Sequence, residues 1–329
     1  MKERIDLVGV LLAGGRGLRS YPSTKFVPKP LFKIDGETLL LKNIQILSNE
    51  FRVKEIIIVI GHLSEQIIMY VNNLNLKIKI SFVIQKKING IANALYLLKD
   101  NLNKKKFIVI LSDEYYYKPN HQDLFNKISN GYSSILTFID EPNLKIVSKN
   151  FIGQFEFDKV IELEEKPKNP NTSLMGVGTY YFDDKVFEYI EKTKVSNLRN
   201  EKEITDVISN MSKDLNIGYQ IIGCKYFNIS NRSDLINANY IIRTLNFSFK
   251  KISLVIPAYN EETSIEEVIN DYIASDLGEF NYIIHMAASS HVDRSIEDPM
   301  SFVLDNVVAT CNILNYARRI KKLEKIIYF

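Results

Sequence analysis

From residue 5 to about 139, short β-branched runs alternate strictly with segments of helical period, and this alternation constrains the fold more than any other feature of the chain. Ile5–Leu12, Glu55–Ile60, Ile78–Ile84, Phe107–Leu111 and Ser134–Ile139 read as strands, with helices between them at Thr38–Ser48, Ser64–Val71, Ile91–Leu102 and His121–Ser129. Strands that are apolar on both faces must be covered on both faces, so a doubly wound, mostly parallel sheet is expected. Three strand-like pieces then follow without a helix between them, Gln154–Phe157, Val160–Glu164 and Leu174–Phe182, which adds an antiparallel or mixed portion. Helices resume at Asp183 and Glu203, and a helix over Arg232–Leu245 closes this region.

Beyond Leu245 the pattern restarts: strand Lys251–Ile256, helix Glu261–Ile273, strand Tyr282–Met286, helix Ser301–Arg318 and strand Lys325–Phe329. Five short elements amount to an incomplete βαβαβ tail, at most half of an α/β domain. The expected organisation is a Rossmann-like domain over residues 1–247, followed by fragments over 248–280 and 281–329.

Composition narrows the class. With 329 residues, 46% apolar and 25% charged, the chain has the proportions of a globular protein and not of a disordered, collagen-like or coiled-coil one. Lys and Arg number 42 against 39 Asp and Glu, so the net charge of +3 gives no electrostatic reason to expect nucleic acid as a partner. Cys224 and Cys311 stand far apart and outside any Cys-x-x-Cys or Cys/His cluster, which leaves no disulfide framework or zinc site and fits a reducing, cytoplasmic setting. No apolar run approaches the roughly 20 residues that span a bilayer. Asp6 interrupts the apolar start, and Gly14 and Gly15 end it without a cleavage pattern, so it reads as a strand and not as a signal peptide.

The first strand runs into Leu12-Ala13-Gly14-Gly15-Arg16-Gly17-Leu18-Arg19, followed by Pro28-Lys29-Pro30-Leu31. Glycines directly after a parallel strand let backbone N–H groups approach phosphate oxygens, and Arg19 and Lys29 put permanent cations on the same loop. The spacing matches neither Walker A nor the Rossmann dinucleotide fingerprint. A glycine turn with solvated charges explains the three glycines about as well when they are taken alone. The lone Asp113, at a strand end, has a capping role as its bland reading. Tyr115-Tyr116-Tyr117 reads as pocket wall or core, and His62 and His121, with no partner at a catalytic spacing, as structural.

Taken together, these motifs resemble the sugar-1-phosphate nucleotidyltransferases, whose signature is Gly-Gly-x-Gly-Thr-Arg-Leu followed by Pro-Lys-Pro-Leu. Gly14, Gly15, Gly17, Arg19, Lys29, Pro30 and Leu31 match, while Leu18 and Ser20 depart from it. The resemblance covers residues 5–245. It implies that Gln85 and Gly90 read a pyrimidine base, that Asp113 in Leu111-Ser112-Asp113 carries Mg²⁺, and that Glu165 and Lys166 in Glu164-Glu165-Lys166-Pro167 hold the sugar and its phosphate. Gly153 and Gly176 fall in the sugar-pocket segments. Tyr226-Phe227-Asn228-Ile229-Ser230 replaces Trp-x-Asp-x-Gly, which puts an amide, Asn228, where many members have a second carboxylate. Uridylyltransferases acting on N-acetylglucosamine 1-phosphate share that Asp/Asn pair.

The implied reaction joins an NTP, dTTP or UTP, to a sugar 1-phosphate and releases pyrophosphate. Arg19 and the loop amides would neutralise the triphosphate, Lys29 the α-phosphate region and Lys166 the attacking phosphate. Two rivals are a non-catalytic nucleotide-sugar binding module and a remnant NAD-dependent dehydratase. In the tail, Lys251–Glu262 resembles the opening strand of family 2 glycosyltransferases, and His285–Ile296 the interior of a nucleotide-sugar 4,6-dehydratase. Both fragments lack the motifs that carry those families' chemistry, and all three resemblances concern nucleotide-sugars, as in polysaccharide biosynthesis. Base, sugar and oligomeric state, homo-oligomer included, stay open at this level.

Overall fold

The computed structural model describes residues 6–128, 130–196, 201–246, 282–285, 296–318 and 323–328. The chain divides into two units, Met1–Arg243 and Thr244–Phe329. In order, the elements are β1 (Leu7–Ala13), β2 (Lys33–Ile34), β3 (Glu37–Thr38), α1 (Leu39–Asn49), β4 (Glu55–Ile60), α2 (Ser64–Asn72), β5 (Lys79–Ile84), α3 (Ile91–Tyr96), β6 (Lys106–Leu111), β7 (Glu114–Tyr117) and α4 (Gln122–Ile128). There follow β8 (Ser134–Asp140), α5 (Leu144–Val147), β9 (Phe151–Glu156), β10 (Lys159–Glu165), β11 (Leu174–Phe182), α6 (Val186–Lys192), α7 (Ile204–Met211), β12 (Ile217–Ile221), β13 (Lys225–Asn228) and α8 (Arg232–Asn246).

Nine strands form one mixed sheet in the order β5-β4-β1-β6-β11-β8-β12-β10-β9. The neighbours β5, β4, β1 and β6 are parallel, and so are β8 and β12. β11 enters antiparallel between β6 and β8, and β10 lies antiparallel between β12 and β9. Side-chain alternation along the strands explains the two cores. On one face Leu11, Ile56, Ile58, Ile60, Ile108 and Ile110 pack with Leu40, Ile44 and Leu47 of α1 and Ile67 of α2. On the other, Val10, Ile57, Val59, Phe107 and Val109 pack with Leu95 of α3, Phe187 of α6 and Val207 and Ile208 of α7. A third cluster joins Phe32, Ile34, Leu39, Tyr115 and Ile229 to Ala238 and Ile242 of α8.

The doubly wound α/β architecture read from the alternation is thus the observed one. Local differences have local causes. α3 stops at Tyr96, short of Leu102, because Leu98 N and Lys99 N bond back to Leu95 O (2.8 Å) and Tyr96 O (3.1 Å), tightening the chain into three-residue turns. β7, β12 and β13 are strands that the β-branched runs did not mark. Tyr115 and Tyr116 are buried and belong to the core. In the second unit, β14 (Tyr282–His285) pairs in parallel with β15 (Lys325–Tyr328), with α9 (Pro299–Ala317) between them in sequence. The strand expected at Lys251–Ile256 and the helix at Glu261–Ile273 lie outside the described residues. Among those described, no helix is long and apolar enough to cross a membrane.

Candidate active site

The site grows from the carboxyl ends of parallel strands, where open α/β sheets place their ligands. β1 runs between β4 and β6 with Leu12 level with Val59 and Leu111, so the chain leaves all three strands together and Gly14, Gly61 and Asp113 converge. The approach is close: a Cβ on Gly61 would lie 2.6 Å from Gly14 O, and one on Gly14 would lie 2.9 Å from Gln85 Oε1. Gly15 faces open space, and Gly17, at φ 60°, takes a left-handed turn. The rest of the loop is braced. Thr24 Oγ1 donates to Gly17 O (3.0 Å), His62 Nε2 meets Thr24 O (2.7 Å), and Ser20, one of the two departures from the signature, donates through Oγ to Ser230 O (3.0 Å).

A cavity of about 270 Å³ opens over this loop, lined by Gly14, Gly15, Gly17, Lys29, Gln85, Gly90, Asp113 and Glu201. Gln85 is buried, and its Nε2 has no partner among the described protein atoms. A buried donor of this kind is open to an acceptor that the cavity admits, a water or a ligand. Gly90 holds φ 97°, and a Cβ there would meet Glu201 Oε2 at 3.0 Å, so the backbone and this carboxylate share one wall.

A larger cavity of about 760 Å³ is lined by Arg19, Asn150, Glu165, Lys166, Gly176, Gly178, Tyr226 and Asn228. The two cavities share Ile91, Leu111 and Asp113. At that junction Lys29 Nζ lies 2.8 Å from Asp113 Oδ2, the lysine side chain 9% exposed and the carboxylate 33%. Asn228 arrives by strand pairing: β13 runs antiparallel to β7 with Asn228 opposite Glu114, and Ile229 N donates to Asp113 O (2.9 Å). Asn228 Oδ1 accepts from Ser230 Oγ (3.2 Å). No group of three or more His, Cys, Asp or Glu residues gathers as a metal site among the described residues. One carboxylate and one amide oxygen nevertheless suit Mg²⁺, a hard ion that usually keeps waters and completes its shell with substrate phosphates.

On the far wall, Lys166 follows β10 at φ 52° with its N–H bonded to Asn150 O (2.7 Å). Gly176 is required by packing, since a Cβ there would fall 2.0 Å from the Phe151 ring. Two of the expected residues lie elsewhere than expected. Gly153 is on neither cavity's wall; it sits in β9, and a side chain there would strike Phe155 at 2.8 Å. Arg19, expected with the glycine loop at the triphosphate, lines the larger cavity and not the smaller.

Sequence reasoning also missed Glu114, the buried carboxylate beneath Asp113. It accepts hydrogen bonds from Gly178 N (3.0 Å to Oε1, 2.8 Å to Oε2), from Tyr226 OH (2.8 Å) and from Tyr116 OH. Burial pushes its carboxyl up to about 7, against the lowering effect of the Tyr116 hydrogen bond, with the neighbouring Asp113 charge adding to the rise. Glu201 and Gly61 were missed too. The one available signal was the doublet Asp113-Glu114, two acids where a strand ends. His121 is buried against Phe51 and Tyr116 and lines neither cavity.

The sequence profile described as Nucleotidyl transferase matches residues 8–290. The bifunctional protein GlmU of Methanocaldococcus jannaschii is 32% identical over 245 residues, which are 73% of this chain and 56% of that protein. The low-salt glycan biosynthesis nucleotidyltransferase Agl11 of Haloferax volcanii is 30% identical over 218 residues, 65% of this chain and 58% of that protein. Among solved structures, a Bacillus anthracis protein assigned as a glucose-1-phosphate thymidylyltransferase, crystallised with sucrose, superposes with a TM-score of 0.65 at 26% identity, covering 74% of this chain and 97% of that one. The chain spans about half the length of the GlmU proteins it matches.

Proposed function

Because this chain belongs to the nucleotidyl transferase family, we propose that it moves a nucleotidyl group from a pyrimidine NTP to a sugar 1-phosphate, giving a nucleotide-sugar and pyrophosphate. The observation that carries the reading is the junction. Two cavities of different character, one over a glycine loop and one walled by β10, β11 and β13, share the Asp113 carboxylate with the Lys29 ammonium 2.8 Å away. Such a junction suits two phosphate-bearing substrates that must meet end to end.

On this reading the smaller cavity takes the nucleotide. Gln85 and Gly90 meet the base, and the amides of Gly15 and Gly17 meet the phosphates. The larger cavity takes the sugar, with Glu165 at its hydroxyls and Lys166 at its phosphate. An oxygen of the sugar phosphate attacks the α-phosphorus, one P–O bond forms, and the bond to the bridging oxygen breaks as pyrophosphate leaves. A phosphate dianion needs no general base, so positioning and charge neutralisation carry the catalysis. Lys29, released from Asp113 by an arriving α-phosphate, neutralises it, and Arg19 serves the phosphates at the junction from the larger cavity's side. Mg²⁺ would be held by Asp113 and the Asn228 amide oxygen and would offset charge on the phosphates of both substrates.

A panel of dTTP, UTP and CTP against glucose 1-phosphate and N-acetylglucosamine 1-phosphate, scored by pyrophosphate release, tests the activity. Turnover that requires both substrates and Mg²⁺ is the expected result. Binding of a nucleotide-sugar with no pyrophosphate from any pair would favour the binding-module reading, for which Asn228 in place of a second carboxylate is the supporting observation.

A further inference from the structure

Glu114 reaches the wall of the larger cavity but not that of the smaller, it is only 3% exposed, and the nucleotidyl-transfer chemistry assigns it nothing. Its surroundings are nonetheless built around it. β11 slips register against β8 between Val177 and Tyr180, and its pairing with β6 begins only at Thr179. Gly178 therefore belongs to neither ladder, and its N–H would be buried without a partner. Both oxygens of Glu114 take that N–H, at 3.0 and 2.8 Å. The approach needs a glycine, since a Cβ on Gly178 would lie 2.7 Å from Glu114 Oε1 and 2.5 Å from Leu111 Cδ1. Tyr226 of β13 donates to the same carboxylate (2.8 Å), as does Tyr116 of β7, which itself accepts from Thr179 Oγ1 (3.1 Å). One side chain thus ties β7, β11 and β13 together at the residue following Asp113.

The partners define what this tie controls. Gly176–Gly178 and Tyr226–Asn228 are walls of the larger cavity. None of the residues that Glu114 bonds lines the smaller one. Resting on the assignment of the larger cavity to the sugar phosphate, we propose that Glu114 is a positioning residue of the acceptor half-site, holding the β11 wall and Asn228 at a set distance from Asp113 while leaving the nucleotide half-site untouched. A buried leucine would fill the volume but leave the Gly178 N–H and two hydroxyls without an acceptor. A glutamine keeps one oxygen that accepts from the Gly178 N–H, and its NH2 donates to hydroxyls that turn to accept it.

The test compares Glu114→Leu, Glu114→Gln and Tyr116→Phe with wild type, using the substrate pair selected by the pyrophosphate panel. Glu114→Leu is expected to lower kcat by about 10- to 100-fold, as a small displacement of reacting groups does, and to raise KM for the sugar 1-phosphate while KM for the NTP stays within about twofold. Glu114→Gln should recover kcat to within about fivefold of wild type. Should Glu114→Leu fail to fold, Tyr116→Phe, which removes one bond to the carboxylate and lines neither cavity, carries the same test with a loss of about 3- to 10-fold. Unchanged kinetics in the folded variants would overturn the proposal, and so would parallel changes in both KM values, which would mark a general structural role. If wild type releases no pyrophosphate with any pair, the activity reading fails by itself. Amide hydrogen exchange then decides the positioning claim: faster exchange in 174–182 with 7–13 unchanged upholds it, and identical exchange refutes it.

Discussion

Lys29 and Asp113 stand 84 positions apart in sequence and 2.8 Å apart in space, each at a point the sheet fixes. The lysine is nearly buried and the carboxylate is not, so the pair is an ion pair with one open side, suited to exchanging its internal partner for a phosphate or a cation. Asp113→Asn should therefore lower kcat by about 10²- to 10³-fold, as loss of a principal electrostatic stabiliser does, while NTP affinity changes little. Near wild-type turnover at saturating Mg²⁺ would remove Asp113 from its role. Lys166→Ala should chiefly raise KM for the sugar 1-phosphate, and a fall in NTP affinity instead would exchange the two cavities' assignments. These residues were legible in the sequence because their chemistry is local: a glycine turn with its cations, an acid at a strand end, Glu-Lys-Pro after another strand. Glu114, Glu201 and Gly61 were not legible, because each acquires its meaning from a partner that only the folded sheet supplies, Gly178, Gly90 and Gly14 respectively.

At the scale of elements, the site depends on β1, β4 and β6 ending level, and on the β7–β13 ladder that sets Asn228 beside Asp113. The first of these follows from parallel pairing and was readable in the alternating apolar runs. The second joins strands more than a hundred residues apart, one of them written Tyr226-Phe227-Asn228 with no β-branched residue, so periodicity alone gave no hint of it. The Gly14–Gly61 crossing offers the sharpest test of the level ending. Gly61→Ala places a Cβ 2.6 Å from a backbone oxygen that cannot move without shifting the glycine loop. The expected cost is about 1–3 kcal/mol of stability, typical of overpacking, together with a tenfold or greater loss of NTP affinity, measured by denaturant unfolding and calorimetry. An alanine variant with wild-type NTP affinity would show that the loop's position does not depend on this contact.

For the molecule as a whole, every residue assigned to chemistry lies between Gly14 and Asn228, within the unit Met1–Arg243. The β14-α9-β15 segment of the second unit contributes none of them. We propose that the catalytic domain ends near residue 247, and a chain ended after Asn246 should unfold cooperatively and keep turnover within about fivefold, since a domain of this size buries a full core. Loss of activity or of folding would assign residues 247–329 a part in the catalytic domain. Whether nucleotide and sugar occupy separate cavities meeting at Asp113 is decided by a crystal structure with the nucleotide-sugar product bound. The base is expected within hydrogen-bonding distance of Gln85 Nε2, the hexose against the Gly176–Gly178 wall, and the diphosphate between them at Asp113 and Lys29. A hexose in the glycine-loop cavity, or a product bound outside both cavities, would contradict it.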